Sequence, residues 1–466
     1  VANARNPSNL ITFRNSQGVQ ARGSLMKLSR TTLIFEVYNP YSIVQLSEIL
    51  NDLVIRRGEQ VVYKGRAVVS NLVNTGLMLI VSARLIDSWS ELAGLQEDTE
   101  LVREEVETFV TEWRTTQSIR PEYQLSVSRI RSFLTELSRW LEHLDVQDPM
   151  TQPDGPEISE DFFGTLSEPL LPPLTELFYD FEQQAARIDE DERMAHMSYA
   201  QYDLHPLLLR APFVYRAFQK PLGYAGDYEM VNMMLRESRE GPTVYAQIIN
   251  SLYLGTGPAE AHRNRIDILI DWLRERIGRA VESGRQPRIL NIGCGPAVEL
   301  QRLFRTEPMM ERADITLVDF SEETLAYTKE RISAAAAEGR VRPNITYSHD
   351  SVHRLLKRAS GDDQAPPEPY DIVYCAGLFD YLSDRICQRL LRLFTQWTVP
   401  GGEILATNVH PSNPARNWME HLLEWYLIYR NENQMGQLAD ELGRHEVFVD
   451  KTGVNVFLRI YRDPSL

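Results

Sequence analysis

Cysteine is scarce: Cys294, Cys375 and Cys387 are the only thiols in 466 residues. Three so widely scattered cannot frame a small disulfide-stapled domain, nor supply the paired C-x-x-C spacing of a structural zinc site, so a reducing compartment is expected and no metal is called for. Long apolar runs are missing too. The longest, "GLMLIV" near residue 80, is far short of the roughly 20 apolar residues a membrane-spanning helix needs. No charged, apolar, small-residue leader opens the sequence, which adds to the expectation of a cytoplasmic protein with no membrane span. Basic residues are outnumbered: 49 Lys and Arg against 65 Asp and Glu leave a formal charge of −16, which repels polyanions and argues against nucleic acid as a partner. Internal repeats and low-complexity tracts are also lacking. What the chain does have is 43% hydrophobic residues in a length too great for one ordinary domain, so two or three units with proper cores are expected.

The first ninety or so residues read as short strands. "NLITF", "ARGSLMKL", "TLIFEVY", "VVYKGRAVVSNLV" and "LMLIVSARL" are rich in β-branched and aromatic residues and are separated by turn formers such as Asn15-Ser16 and Asn39-Pro40. A small β-barrel over residues 1–90 is the natural closure. From about residue 90 the period turns helical, with Leu95, Val102, Val106, Phe109 and Trp113 recurring among many charges. The stretch "DVQDPMTQPDGPEISEDF" reads as an exposed linker near 145–165, and helices resume to about 240, giving a helical middle over 91–240.

The remaining unit, 241–466, carries the chemistry. Strands "RILNIG", "ITLVDF", "ITYSHD", "YDIVYCAGL" and "GGEILATNV" alternate with helices, the rhythm of an α/β fold with a doubly wound parallel sheet whose ligands bind beyond the carboxyl ends of the strands. Gly293 and Gly295 allow a tight turn and close approach of a ligand, and a helix from about Ala297 aims free N–H groups at the same point. Val298 stands where a dinucleotide fingerprint would place its third glycine, which disfavours a pyrophosphate. S-adenosylmethionine fits better. Asp319 ends the second strand, where a carboxylate accepts from both ribose hydroxyls; Phe320 follows it; Asp350 and Ser351 end the third strand, where an adenine amino group would lie. Ala376 and Gly377, in "YCAGLFDYL", border the same site.

Two resemblances add to this reading. The front block resembles a PilZ domain, the barrel that in many bacterial proteins binds cyclic di-GMP through an arginine pair and a D/N-x-S-x-x-G turn. Here "KLSRTT" keeps Ser29 but has Lys27 and Thr32 in place of the acid or amide and the glycine, and an upstream R-x-x-x-R is missing, so a scaffolding or dimer-forming barrel is expected rather than a nucleotide sensor. From about 205 onward the chain resembles a bacterial family of class I (Rossmann-like) methyltransferases that make the methyl ester of 3-hydroxypalmitic acid. The stretches carrying the likeness include "HPLLLRAPFVYRAFQKPLGYAGDYEMVNMML", "PAEAHRNRID", "LNIGCGPAVELQRLF", "VYCAGLFDYLSDR", "PGGEILATNVHPSNP" and "DKTGVNVFLRIYR". The resemblance implies S-adenosylmethionine as cofactor and the carboxylate of a hydroxylated fatty acid as the small-molecule acceptor. N- or O-methylation of a specialised metabolite is the alternative chemistry, and a cyclic di-GMP-responsive interaction module is the alternative of another class.

Acceptor class turns on the need for a base. An ionised carboxylate needs none, whereas a hydroxyl or ammonium must lose a proton. His410, after the fifth strand, is the candidate base, and Arg416 a candidate partner for an acceptor carboxylate. "KPLGYAGDYE" reads as a lid in which Tyr224 or Asp227 touches the cofactor or acceptor. His262 and Arg265 are candidates for approaching the methionine carboxylate. "NWMEHLLEWYLIYR" reads as one helix with Trp418, Leu422, Trp425 or Tyr426, and Tyr429 on one face, core first and acceptor wall second. Self-association, where it occurs, is expected through the barrel or the helical middle.

Overall fold

The computed structural model describes residues 9–29, 31–38, 44–57, 60–74, 78–89, 103, 106–107, 110–111, 118–145, 159–236, 239–358 and 368–463. The first element group is a closed barrel of β1 (Asn9–Arg14), β2 (Gln20–Leu28), β3 (Thr32–Tyr38), β4 (Ile49–Arg57), β5 (Gln60–Asn74) and β6 (Met78–Leu85), in the order β1-β2-β3-β6-β5-β4. Alternation drives it: Leu33, Phe35 and Val37 of β3 and Leu79, Val81, Ala83 and Leu85 of β6 all point inward. Pairing of β1 with β4, Ile11 opposite Ile55, closes the ring and leaves no free edge. Five strands match the sequence reading and β4 does not. Its inward residues, Leu50, Leu53 and Ile55, are spaced by three and then two, because the ladder slips between Leu50 and Leu53 and Asp52 takes a positive φ of 49°. A bulge of that kind hides a strand from any period-two reading.

A helical layer follows: α1 (Pro121–Asp145), α2 (Glu160–Ser167), α3 (Leu171–Ala185), α4 (Arg193–Leu208), α5 (Pro212–Gln219), α6 (Tyr228–Arg236) and α7 (Val244–Leu254). The inner stripe of α1 is Tyr123, Val127, Ile130, Leu134, Leu137 and Leu141, stepping by four and three. Of the expected helical repeat over 95–113, Leu95, Val102, Phe109 and Trp113 lie outside the described residues, and Val106 is helical and exposed. The expected linker also lies mostly outside them, but its last residues open α2, where the Ser159 hydroxyl accepts the Phe162 N–H at 3.3 Å.

The C-terminal part begins with α8 (Gly257–Glu282) and continues as β7 (Arg288–Ile292), α9 (Val298–Thr306), β8 (Asp314–Asp319), α10 (Glu322–Gly339), β9 (Asn344–His349), α11 (Val352–Arg358), β10 (Tyr370–Cys375), α12 (Asp384–Trp397), β11 (Thr398–Val409), α13 (Arg416–Leu423), α14 (Glu432–Gln437), β12 (His445–Val449) and β13 (Asn455–Tyr461). They build one sheet, β12-β13-β11-β10-β7-β8-β9. Strands β7 to β11 are parallel, and β13 runs antiparallel between β11 and β12. The doubly wound sheet expected from the sequence is present; β12 and β13 were not read as strands. Alternate residues face opposite layers: Ile289, Ile315, Leu317 and Tyr374 pack on α8, α9 and α10, whereas Leu290, Val318, Val373 and Cys375 pack on α11 and α12. Strand order reverses between β7 and β10, which puts the crevice for a ligand at their carboxyl ends.

One expected helix stops early. After α13, Glu424 adopts φ 50°, and the chain runs on through Trp425 to Tyr429 as an irregular strap. Tertiary contacts override the helical pattern there. Lys220 Nζ donates to the Leu423 carbonyl at 2.9 Å, Glu424 pairs with Arg84 of β6, and the Ser47 hydroxyl accepts the Tyr426 N–H at 2.5 Å and donates to the Tyr426 carbonyl at 3.0 Å. Strap and barrel are thereby one packed unit, and Tyr426 joins the barrel core.

Candidate cofactor and acceptor site

Strand β7 ends in a turn that only particular residues tolerate. Gly293 and Gly295 have φ of 67° and 50°, and Ala297, at 47°, holds the same left-handed conformation at a cost of about 1 kcal/mol or more. Gly293 and Cys294 both donate N–H groups to the Val318 carbonyl, at 2.8 and 3.1 Å, which ties the turn to β8. Asp319 completes the tie: its two carboxylate oxygens accept from Gly295 N–H at 3.1 Å and Ser321 N–H at 3.0 Å. Burial pushes the pKa of Asp319 up, and these backbone bonds oppose it. Each oxygen has taken one donor and keeps a lone pair, so the carboxylate can still receive a vicinal diol. A Cβ added to Gly295 would meet nothing within 4 Å, so the turn borders open space.

A large cavity opens over this turn and passes under the lid segment into the helical layer. Its near wall holds Gly293, Gly295, Asp319, Phe320, Ala376 and Gly377. Arg265 of α8 reaches the same wall, 5% exposed, with a Nε that has no hydrogen-bond partner. Gly377, at φ 92°, makes room for it: a Cβ there would stand 3.1 Å from Arg265 Nη1. Burial pushes the guanidinium pKa down, while Asp380 and Glu299 act in the other direction. A guanidinium in this setting is still a cation, and it favours an anionic ligand group. Open turn, half-satisfied Asp319 and buried Arg265 together fit the sugar and the amino-acid carboxylate of S-adenosylmethionine.

The far part of the cavity is apolar. Phe213, Tyr253, Trp418, Met419, Leu423 and Trp425 line it. Gly226 forms its neck at φ 72°; a Cβ there would lie 2.8 Å from the Tyr381 hydroxyl and 3.3 Å from the Trp425 ring. Those two close on each other through Trp425 Nε1–H donating to Tyr381 at 3.0 Å. Tyr224 roofs the junction, its ring edge-on to Phe320 at 4.9 Å. Gln45, from the loop before β4, also lines the cavity, so the barrel supplies part of the wall.

The structure brings together Tyr224, Arg265, Gly293, Gly295, Asp319, Phe320, Ala376 and Gly377 on the wall, and leaves His410, Arg416, Asp227, Asp350 and Ser351 off it. Each of these five has other partners. Both His410 nitrogens are engaged, Nδ1 with Ser412 Oγ at 2.6 Å and Nε2 with Glu432 at 3.1 Å. Arg416 pairs with Glu420 at 3.1 Å and stacks over Tyr429. Asp227 binds Arg216 at 3.0 Å and accepts the first N–H groups of α6. Asp350 pairs with Arg354 at 3.0 Å, and Ser351 accepts the Arg354 N–H. Of the proposed aromatic face, Trp418 and Trp425 reach the cavity, and Leu422 and Tyr429 do not.

Sequence reading missed Gln45, Tyr381 and Asp380. Asp380 sits inside "YCAGLFDYL"; burial pushes its pKa up to about 6 against a Val409 N–H bond, Arg265 and Arg430. Its place after the fourth strand was the available signal. Gln45 gave none. Among the described residues, no group of three or more His, Cys, Asp or Glu side chains is placed to hold a metal ion, and no helix is long and apolar enough to cross a membrane. The three thiols are buried, which raises their pKa values and makes them packing residues.

Comparison with known proteins bears on the fold of this part of the chain. Residues 289–402, from β7 into β11, match the family model for a methyltransferase domain. No curated protein matches the chain. Similar solved structures include a "possible exported protein" from Bordetella parapertussis, at 16% identity and TM-score 0.42 over 54% of this chain and 86% of that one. An O-methyltransferase family protein from Burkholderia thailandensis follows, at 13% identity and TM-score 0.34 over 59% and 73%. Magnesium protoporphyrin IX methyltransferase from Synechocystis, at 13% identity and TM-score 0.31, covers 44% and 84%. Residues 289–402 form a methyltransferase domain, so the chain is a methyltransferase, and its open turn, Asp319 and Arg265 fit S-adenosylmethionine as the methyl donor.

Proposed function

We propose that this enzyme esterifies the carboxylate of a hydroxylated fatty acid, as do the bacterial class I methyltransferases that make the methyl ester of 3-hydroxypalmitic acid, which its sequence resembles. The observation that carries the reading is the apolar chamber beyond Gly226, walled by Phe213, Trp418, Met419, Leu423 and Trp425 and continuous with the cofactor turn. An acyl chain is the kind of ligand that gains by entering such a space, at about 0.8 kcal/mol per buried methylene. Asp319, Gly293, Gly295, Phe320, Ala376, Gly377 and Arg265 would hold the cofactor, which supplies an electrophilic methyl group. The protein's own work is then to align the acceptor, exclude water and avoid competing nucleophiles. Tyr224, Tyr381 and Trp425 serve that purpose at the junction.

A carboxylate acceptor has no proton to lose. The engagement of both His410 nitrogens by Ser412 and Glu432 favours this over the methylation of an amine or hydroxyl with His410 as base. We take the barrel to be PilZ-like in ancestry and scaffolding in use: Ser29, the residue kept from the nucleotide-binding turn, is bonded to Thr32 at 2.6 Å. Purified protein incubated with labelled S-adenosylmethionine and 3-hydroxypalmitic acid should yield the labelled methyl ester by mass. No ester, or label on the hydroxyl, would refute the reading.

A further inference from the structure

Two hydrogen-bond acceptors on the cavity wall have no donor. His262, on the first turns of α8, is half-buried and lines the cavity. Its Nδ1 lies 2.9 Å from the Pro258 carbonyl, which can only accept, so Nδ1 carries the hydrogen and Nε2 presents a bare lone pair. Burial, and then Arg265, hold its pKa down near 3, with Arg263 adding to the effect and Asp450 opposing it, so the ring stays neutral at physiological pH.

Asn455, at the start of β13, lines the same cavity and is 1% exposed. Its Nδ2 donates to the carbonyl of Ala261 at 2.8 Å, next to His262, which fixes the orientation of the amide. Oδ1 is then an acceptor with no partner. The neighbouring Asp450 offers neither of them a hydrogen; its carboxylate is itself taken up by Asn264, Thr452 and the N–H groups of Val454 and Asn455. Native proteins rarely leave such a buried acceptor unmet, and at a cavity wall a ligand can supply the missing donor.

We infer that His262 and Asn455 form a hydroxyl-recognition subsite, in which the O–H of the methyl acceptor shares its one hydrogen between Nε2 and Oδ1, so that hydroxylated substrates are selected over their deoxy analogues. The inference rests on the fatty-acid reading above and names the hydroxyl of that acid as the group bound. Charge decides between the donors on offer. The ammonium of an amine acceptor, with no carboxylate of its own to offset it, would sit beside Arg265 and Arg263, both of which act on His262, and would be repelled, whereas a neutral hydroxyl donates its hydrogen to a neutral acceptor without that cost. A site built to bond a hydroxyl rejects the analogue lacking it, because its own polar groups are then left unpaired.

The test compares kcat/KM for a 3-hydroxylated long-chain fatty acid and for the same acid without the hydroxyl. The proteins are the full-length wild type, His262→Phe, His262→Gln and Asn455→Ala, each also titrated calorimetrically with S-adenosylmethionine to establish folding. Wild type should prefer the hydroxylated acid by about 100-fold or more. His262→Phe and Asn455→Ala should each lose about tenfold of that preference while binding the cofactor within about twofold of wild type, and His262→Gln, which keeps an acceptor, should regain part of it. Undiminished preference in both variants that bind the cofactor would overturn the inference. So would a tenfold loss of cofactor affinity with the preference kept, which would assign the pair to the cofactor's ammonium. Wild type that esterifies neither acid refutes the fatty-acid reading itself, and the hydroxyl subsite falls with it.

Discussion

Asp319 pins the glycine turn through Gly295 and Ser321, and in the proposed function its remaining lone pairs receive the sugar hydroxyls. Replacing it with Asn turns one acceptor into an NH2 donor, so Asp319→Asn should weaken S-adenosylmethionine binding by about 10- to 100-fold in a calorimetric titration and lower the melting temperature as well, because Gly295 or Ser321 N–H loses its acceptor. Gly226 is under a different constraint, because a methyl group there would overlap the Tyr381 hydroxyl at 2.8 Å while forcing a residue with a side chain to φ 72°. Gly226→Ala should therefore raise the acceptor KM by tenfold or more and leave cofactor affinity near wild type, read in steady-state kinetics with each ligand varied. At this scale the sequence was partly legible. Glycines, and an acid at a strand end, announce themselves by type, and Gly293, Gly295 and Asp319 do line the cavity. His410, Asp227 and Asp350 carry the same chemical vocabulary, yet each has a local partner. Whether a polar side chain faces a cavity or a neighbour depends on contacts such as Glu432 with His410, 22 residues away in sequence.

Elements were legible where one pattern governs them. Strands β7, β8, β10 and β11 read as nearly continuous apolar runs buried on both faces, and the inner stripe of α1 alternates steps of four and three. β4 escaped because its bulge breaks the step, and the strap after Leu423 escaped because its conformation is imposed by partners more than 200 residues away. Ser47 shows how strongly the strap is held. Its hydroxyl bridges the N–H and C=O of Tyr426, both in a buried setting, so Ser47→Ala strands two backbone groups. The substitution should cost about 2–4 kcal/mol of stability in chemical denaturation. Lys220, which grips the end of α13, adds a pH dependence. Burial depresses its pKa from 10.5 to about 7. The unfolded chain then binds more protons than the folded one between about pH 7 and 10.5, so this residue's contribution to stability is lowest below pH 7 and rises with pH through that window. Lys220→Met should flatten that part of the stability–pH profile, measured by denaturation at pH 6, 8 and 10.

On the scale of the whole molecule, the barrel is part of the enzyme rather than an appendage to it. Its loop before β4 puts Gln45 on the cavity wall, bonds Ile49 N–H to the carbonyl of Gly223 in the lid at 2.7 Å, and clasps the strap through Ser47. Glu48 stabilises that loop by accepting from Gln45 N–H and from both the N–H and hydroxyl of Ser16. Gln45→Leu should accordingly change the acceptor KM severalfold and leave S-adenosylmethionine affinity unaltered, because the scaffold that the barrel provides includes part of the cavity wall. No local pattern in the sequence foretold this arrangement, because Gln45 meets the site only through tertiary packing. The central claim is that the turn after Asn291, with Asp319 and Arg265, grips the cofactor at the mouth of the sheet. A co-crystal structure with S-adenosylhomocysteine tests it most directly. The account predicts ribose hydroxyls on the Asp319 carboxylate and the amino-acid carboxylate within hydrogen-bonding distance of Arg265. A ligand lodged elsewhere, or a ribose that does not touch Asp319, would contradict it.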